Sequence, residues 1–326
     1  MELRPIGTTG VSVSALGFGG GAFAGLLVRG EQDDQVRAVQ RAIEGGITYF
    51  DTAAQYGDGV SEESLGRTLA AIGATNDVVI GTKVRLEAAD LDNPAKVIRA
   101  SLDESLKRLG RDAVDAFVFH NFPRTSTERN GFLLHQLPAV ADVMQVLKQE
   151  GKVRSAGITC VGETGPILSA IEMDLFDFTQ CYFNVLNPSA VYPGANGGGQ
   201  DFRGAAKLAG DLGKTTMGVR TVAGGALVTS NYRSEIAGPV GDGGGLGGNP
   251  YTNDLERANR LTAIARDAGC EDVIEFGLRF AMSEPVVVTS LVGFSDLDQV
   301  EAAIRAAERG PLPRSAIDAA LAVARA

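Results

Sequence analysis

Apolar and β-branched residues in this chain gather in eight short runs, separated by segments whose apolar positions recur at helical spacing. The runs are VSALGFG (13–19), ITYFDTA (47–53), VVIGTKV (78–84), AVDAFVFH (113–120), KVRSAGIT (152–159), FTQCYF (178–183), TTMGVRTV (215–222) and VVVTSLVG (286–293). Between them, EQDDQVRAVQRAIEGG sets Val36, Val39, Ala42 and Ile43 on one face, carries acids in its first turn and stops at Gly45 and Gly46. NPAKVIRASLDESLKRLGR does the same with Val97, Leu102, Leu106 and Leu109 before Gly110, and AVADVMQVLKQEGKV and EDVIEFGLRFAMSEP fit two later crossovers. Strand and helix alternating in this way require a parallel sheet with helices outside it. Eight strands close that sheet into a (β/α)8 TIM barrel of the α/β class.

Two segments fall outside the alternation. MELRPIGTTGVSVS reads as an N-terminal β-hairpin turning at Gly7-Thr8-Thr9-Gly10. Residues 228–254, with the tract GPVGDGGGLGGNP, are too rich in glycine and too poor in helical periodicity to be scaffold. They are expected to form a flexible loop, either a cover over cofactor or substrate or a passive insertion. Residues 1–326 as a whole are expected to be a single barrel domain.

Composition narrows the class of partner. A 44% hydrophobic, 21% charged chain can bury a large core, and a net charge of −10 gives no basic excess for nucleic acid or an anionic membrane. A small molecule is the expected partner. Cys160, Cys181 and Cys270 form no CxxC pair, which points to buried thiols in a reducing compartment. The N-terminus lacks a signal-peptide pattern, and no apolar run approaches the ~18–20 residues that span a bilayer, so a cytoplasmic protein is expected.

LGFGGGAFAG contains Gly17-x-Gly19-x-x-Ala22 and is followed at a distance by Asp51, which imitates a dinucleotide fingerprint. The spacing is wrong for one. FAGLLVRGE intervenes before helical periodicity begins near Glu31, and Asp51 lies beyond the ~20-residue offset of a ribose-binding acid. The stretch reads instead as the first strand running into its upper loop, where Gly19, Gly20 and Gly21 let backbone approach a ligand.

In a closed barrel, Asp51, Tyr56, Lys83 and His120 fall at the carboxyl ends of the second, third and fourth strands, the face where barrel enzymes keep their chemistry. Singly, each has a structural reading: a cap for Asp51, a turn residue for Tyr56, a snorkelling stem for Lys83, a satisfied core histidine for His120. Lys83 and His120 nevertheless emerge directly from the buried runs VVIGT and AFVF, where a charge requires a partner.

RPIGTTGVSVSALGFGG, DTAAQYGDGVSEESLGRTL, GTKV, VDAFVFH and LVGFSDLDQVEAA, in this order and across essentially the whole chain, resemble the aldo-keto reductase family. The D-T-A-x-x-Y-G-x-G-x-S-E-x-x-L-G stretch is the most specific of them. The resemblance implies an NAD(P)(H)-dependent oxidoreductase on a (β/α)8 barrel, without a metal, whose catalytic tetrad is Asp51, Tyr56, Lys83 and His120. Hydride addition leaves negative charge on a carbonyl oxygen, so a proton donor must reach it. A phenol is a reluctant acid near neutrality, and a neighbouring ammonium makes release of its proton easier. The resemblance gives Tyr56 the proton, Lys83 the ammonium, and Asp51 the carboxylate that holds Lys83 in place. It gives His120 the hydrogen bond that orients the carbonyl, with a place in a proton relay at low pH.

The same resemblance implies cofactor contacts. Gly20, Gly21 and Asp51 lie at the nicotinamide end, Thr159 with Cys160 stands where the family has a Ser-Asn pair, and Gln180 matches a carboxamide-binding glutamine. Arg220 takes the place of a ring-stacking aromatic, or else turns away to a carboxylate. Gly225, Ala226 and Leu227 fall in the pyrophosphate loop, and Gly293, Phe294, Ser295 and Gln299 at the adenosine phosphate. NADP(H) is the expected cofactor, with NAD(H) an alternative because Asp296 occupies a place where NADP-binding relatives carry a base. Asn121, Phe122, Phe183 and Tyr192 are candidates to line the substrate pocket. Carbonyl reduction by a monomer or weak homo-oligomer is the leading expectation. Oxidation of a sugar's anomeric hydroxyl and a non-catalytic, cofactor-sensing subunit are the alternatives.

Overall fold

In the computed structural model, which describes residues 1–229, 233–239 and 250–326, the chain opens with an antiparallel hairpin of β1 (Leu3–Pro5) and β2 (Ser12–Ser14). Next come β3 (Leu16–Gly19), β4 (Tyr49–Asp51), β5 (Val79–Val84) and β6 (Val114–Phe119), then a small parallel pair, β7 (Phe122–Pro123) and β8 (Gly131–Phe132). β9 (Val153–Cys160), β10 (Phe178–Tyr182), β11 (Thr215–Val219) and β12 (Val287–Gly293) complete the strands. β3 to β6 and β9 to β12 close an all-parallel barrel in sequence order, with β12 pairing back onto β3. The helices are α1 (Leu26–Arg29), α2 (Gln32–Glu44), α3 (Val60–Ala71), α4 (Ala95–Leu109), α5 (Leu137–Gln149), α6 (Thr164–Glu172), α7 (Ala205–Asp211), α8 (Tyr251–Arg260), α9 (Thr262–Asp267), α10 (Val273–Met282), α11 (Leu297–Glu308) and α12 (Arg314–Arg325).

Each of the eight apolar runs supplies one barrel strand. The run 13–19 divides between the hairpin and the barrel, because Ser14 diverts the ladder: its hydroxyl donates to Leu16 O at 2.6 Å and its backbone N–H to the Thr48 hydroxyl at 2.9 Å. The expected helical faces shift slightly. Gln35 takes a core place on α2 by donating its amide to Leu26 O and Gly30 O, and Val36 moves to the edge. On α4, Ile98 is the buried residue of the first turn and Val97 only partly covered. Within the segment 228–254, residues 230–232 and 240–249 lie outside the described residues. Its end is helical rather than loop, since α8 begins at Tyr251, directly after the extended Pro250, and so includes Asp254.

Strand alternation creates two packed layers. Phe50, Ile80, Val84, Phe117 and Phe119 face the helices in one large cluster, whereas Tyr49, Ala116, Val118, Phe178 and Met217 face the barrel interior. Ile6, Val11 and Val13 of the hairpin join the interior cluster and close its amino-terminal end. The same alternation sends Asp51, Lys83 and His120 inward, one step beyond the apolar layer.

Candidate active site

Asp51 ends β4 with 4% of its surface exposed, and Lys83 lies near the end of β5 with 1% exposed. The Lys83 ammonium donates to Asp51 Oδ1 and, at 2.7 Å, to Thr52 O. Asp51 Oδ2 accepts from Gln180 Nε2 at 2.9 Å and from the Tyr49 hydroxyl at 3.2 Å. Gly81 makes this possible, because a Cβ there would meet the Tyr49 hydroxyl at 2.1 Å. Every oxygen of the carboxylate is thus occupied, as a buried charge requires. Burial opposes charge on Lys83, but Asp51, with a smaller contribution from Tyr56, outweighs it and holds the ammonium above the ordinary lysine range.

Tyr56 stands directly above this pair, with Lys83 Nζ 4.7 Å from its ring centroid. The His120 ring meets it edge-on at 5.9 Å and 81°. His120 is fixed by its backbone N–H to Val84 O at 2.8 Å, and its Nδ1 lies 3.4 Å from Gln55 Oε1. Burial, with Lys83 and Arg85 adding to it, holds the imidazole well below the usual histidine range, so His120 is neutral near pH 7. This favours the carbonyl-orienting hydrogen bond expected of His120 and places any part in a proton relay at correspondingly lower pH.

The motif around Tyr56 is a frame for its loop. The Thr52 hydroxyl donates to Ser61 Oγ at 2.8 Å, Ser61 Oγ donates to Gly20 O at 2.9 Å, and Gly20 N–H donates to Asp51 O at 2.7 Å. Glu62, fully buried on α3, accepts from the Thr82 hydroxyl and from Arg108 Nε at 2.7 Å. Gly57 and Gly59 turn the loop at φ of 65° and 94°, conformations that disfavour a side chain. Sequence reasoning did not assign Thr52, Ser61 and Glu62 to the site, although the signal lay inside the motif it singled out.

The sequence profile of the Aldo/keto reductase family matches residues 15–324. The chain belongs to the aldo/keto reductase family. It is 38% identical over 160 residues to an L-galactose dehydrogenase of Arabidopsis thaliana, covering 49% of this chain and 48% of that protein. It is 33% identical over 174 residues to a D-threo-aldose 1-dehydrogenase of a Pseudomonas species, covering 46% and 50%. The chain thus spans about half the length of the curated relatives it matches. In fold it is similar to an aldo-keto reductase from Bacillus halodurans in its holo form, with a TM-score of 0.74 and 23% identity over 100% of this chain and 97% of that one.

The residues expected to touch cofactor in this aldo/keto reductase differ in how far other contacts already engage them. Gly21 faces the Tyr56 ring, with a Cβ position 3.8 Å from it, whereas Gly20 packs beneath Ser61, 2.6 Å from where its Cβ would be. A side chain at Gly20 would therefore collide with the frame of the Tyr56 loop. Thr159 lies in register beside Gln180 and its buried hydroxyl has no partner. Cys160 faces the outer layer instead, alongside Cys181. Gln180 has its amide nitrogen committed to Asp51.

Arg220 sits at φ 62° just after β11, with its guanidinium carbon 3.9 Å from the Phe23 ring centroid and no carboxylate partner among the described residues. Gly224 and Gly225 have positive φ, and Ala226 and Leu227 are buried in the same short turn. Gly293 ends β12 against Ala24, and Phe294 packs on Phe18. The Ser295 hydroxyl donates to Ala24 O at 2.7 Å. Gln299 accepts from Ser295 N–H and donates one amide hydrogen to Asp296, which ties it to the same loop. Of the expected pocket residues, the Phe122 ring lies 6.5 Å from the His120 ring, Phe183 stacks on Phe280 and Tyr192 donates to Glu284.

The environment of His120 carries its own test. Its folded value lies below the unfolded value of about 6.5, so the unfolded chain binds more protons in that window. This contribution to stability is present above about pH 6.5 and is lost as pH falls below it. With His120 and His135 the only histidines in the chain, a proton–carbon NMR titration resolves both, and the His120 signal should stay in its neutral form through pH 6.

Proposed function

We propose that this aldo/keto reductase interconverts a carbonyl and an alcohol on a small molecule using NAD(P)(H), with Tyr56 as the general acid and base. The observation that carries the reading is the Tyr56 phenol seated over a buried, fully satisfied Lys83–Asp51 pair at the carboxyl end of the barrel. The unpartnered Thr159 hydroxyl, beside Gln180, fits a carboxamide, and the Arg220 and Arg233 guanidiniums beside glycines 224 and 225 suit a phosphate-bearing chain near β11. When bound, the nicotinamide supplies or accepts the hydride. Tyr56 gives the substrate oxygen its proton, Lys83 stabilises the phenolate left behind, and Asp51 fixes Lys83 in place. Neutral His120 holds the substrate oxygen by a hydrogen bond. In oxidation Tyr56 takes the proton instead.

The adenosine end favours NAD(H). Asp296 caps α11 by accepting from Gln299 N–H at 2.9 Å, and Asp298 follows in the first turn. Two carboxylates at that helix start repel a 2′-phosphate while leaving a ribose diol acceptable. Parallel fluorescence titrations should give a Kd for NADH at least about tenfold below that for NADPH. Equal or tighter NADPH binding defeats the preference and returns the site to NADP(H).

A second reading follows from the two sugar dehydrogenases to which the chain is similar: oxidation of a sugar at its anomeric hydroxyl. It predicts turnover of aldoses with the oxidised cofactor and little reduction of simple aldehydes. Tight cofactor binding with turnover of neither class would instead support a cofactor-sensing subunit. Three free buried thiols agree with a cytoplasmic setting. Among the described residues no helix is long and apolar enough to cross a membrane.

A further inference from the structure

The strands that carry Lys83 and His120 also bring arginines to the mouth, and these differ from four buried or partly buried arginines elsewhere in the fold. Arg41, Arg108, Arg111 and Arg279 pair with Glu301, Glu62, Asp115 and Glu275. Arg85, two residues beyond Lys83, is partly buried, and its Nε is fully covered without a hydrogen-bond partner. Arg124, in the strand-following loop next door, also has a buried, unpartnered Nε, and its guanidinium lies 5.9 Å from the Phe122 ring that flanks His120. Neither forms an ion pair among the described residues. Burial lowers the proton affinity of Arg85, with Tyr56 and the exposed Glu87 acting against it, so the guanidinium lies within electrostatic reach of the reacting phenol.

The position of Arg85 is held. Asn121, immediately after His120, accepts from Leu86 N–H and donates to Leu86 O, both at 2.8 Å, clamping the backbone next to Arg85. A guanidinium with no carboxylate partner among the described residues leaves its charge uncompensated, and an oxyanion is the group whose geometry best matches the fork. The cofactor is not the natural source of that oxyanion. β5 stands diametrically across the barrel from β11, and so away from the turn at Ala223–Val228 that follows β11.

We propose that the substrate carries an oxyanion group, a carboxylate or a phosphate, and that Arg85 receives it on the β5–β6 side of the mouth, with Arg124 at the rim. This makes Arg85 a specificity-determining residue, and it rests on the oxidoreductase reading above.

The test uses the full chain loaded with reduced cofactor and two matched pairs: 4-oxobutanoate against its methyl ester, and glyceraldehyde 3-phosphate against glyceraldehyde. In at least one pair the charged member should have a kcat/KM about tenfold or more above its neutral partner, mainly through KM. Arg85→Met should bring that ratio near one, and Arg85→Lys should keep part of it. The pair that shows the preference identifies carboxylate or phosphate. Ratios at or below one in both pairs overturn the proposal. If no carbonyl or sugar is turned over, the oxidoreductase reading fails, and calorimetry with succinate and glycerol 3-phosphate on the cofactor-loaded protein decides the anion site separately. Binding that Arg85→Met weakens about tenfold supports the site, and absence of binding removes it.

Discussion

Tyr56→Phe is expected to lower kcat by about a thousandfold or more while leaving the cofactor Kd nearly unchanged. The substitution removes one oxygen and keeps the ring that packs above Lys83 and against His120. Nothing in the hydrogen-bond frame of the loop depends on the phenol, since Thr52, Ser61, Gly20 and Glu62 hold it through other atoms. Loss of turnover in this variant is therefore loss of the proton. Pre-steady-state kinetics and fluorescence titration of cofactor separate the two quantities. Retention of more than about a tenth of the wild-type kcat would remove Tyr56 from the chemistry.

Asp51→Asn is expected to cost about 3–5 kcal/mol of stability and most of the activity, because it leaves the Lys83 ammonium buried without its counter-charge. In the native chain the Lys83 value is raised above its unfolded value of about 10.5. Its stabilising contribution is thus complete below that pH and is lost only as pH rises through the higher folded value. With Asp51 neutral, the main opposition to burial is gone and the Lys83 titration moves down. Residual activity of Asp51→Asn should then fall with rising pH where the wild type is flat. The double variant Asp51→Asn with Lys83→Met removes both charges and should recover much of the lost stability without recovering activity. A double variant no more stable than Asp51→Asn would show that the loss has another source. Denaturant unfolding and pH–rate profiles supply both measurements.

Much of the architecture was legible because its signal is local. A strand buried on both faces needs an unbroken apolar run, and the segment between two such runs must cover them with a periodic face; both requirements are written along the chain. The differences came where a polar side chain bonded backbone or side-chain groups outside its own strand or helix pattern. Gln35 replaced Val36 in the core because backbone carbonyls of Leu26 and Gly30 lay within its reach, and Ser14 split the first run by bonding Leu16 and Thr48. The DTAAQYGDGVSE motif pointed to the site, yet the division of labour within it, Tyr56 towards the mouth and Thr52, Ser61 and Glu62 into the frame, depends on which way each residue faces.

The sequence by itself determined the eight strands, their parallel closure, and the placing of Asp51, Tyr56, Lys83 and His120 at one end of the barrel, since strand order and two-residue alternation leave little freedom. Only the tertiary structure decided what those groups became. It joined Gln180 and Tyr49 to the carboxylate of Asp51, kept His120 neutral, and left the Arg85 Nε without a hydrogen-bond partner among the described residues. Each of those outcomes is fixed by distances across the barrel or between loops, and by how much water remains around a charge. Both are properties of closure in three dimensions and have no counterpart in residue spacing.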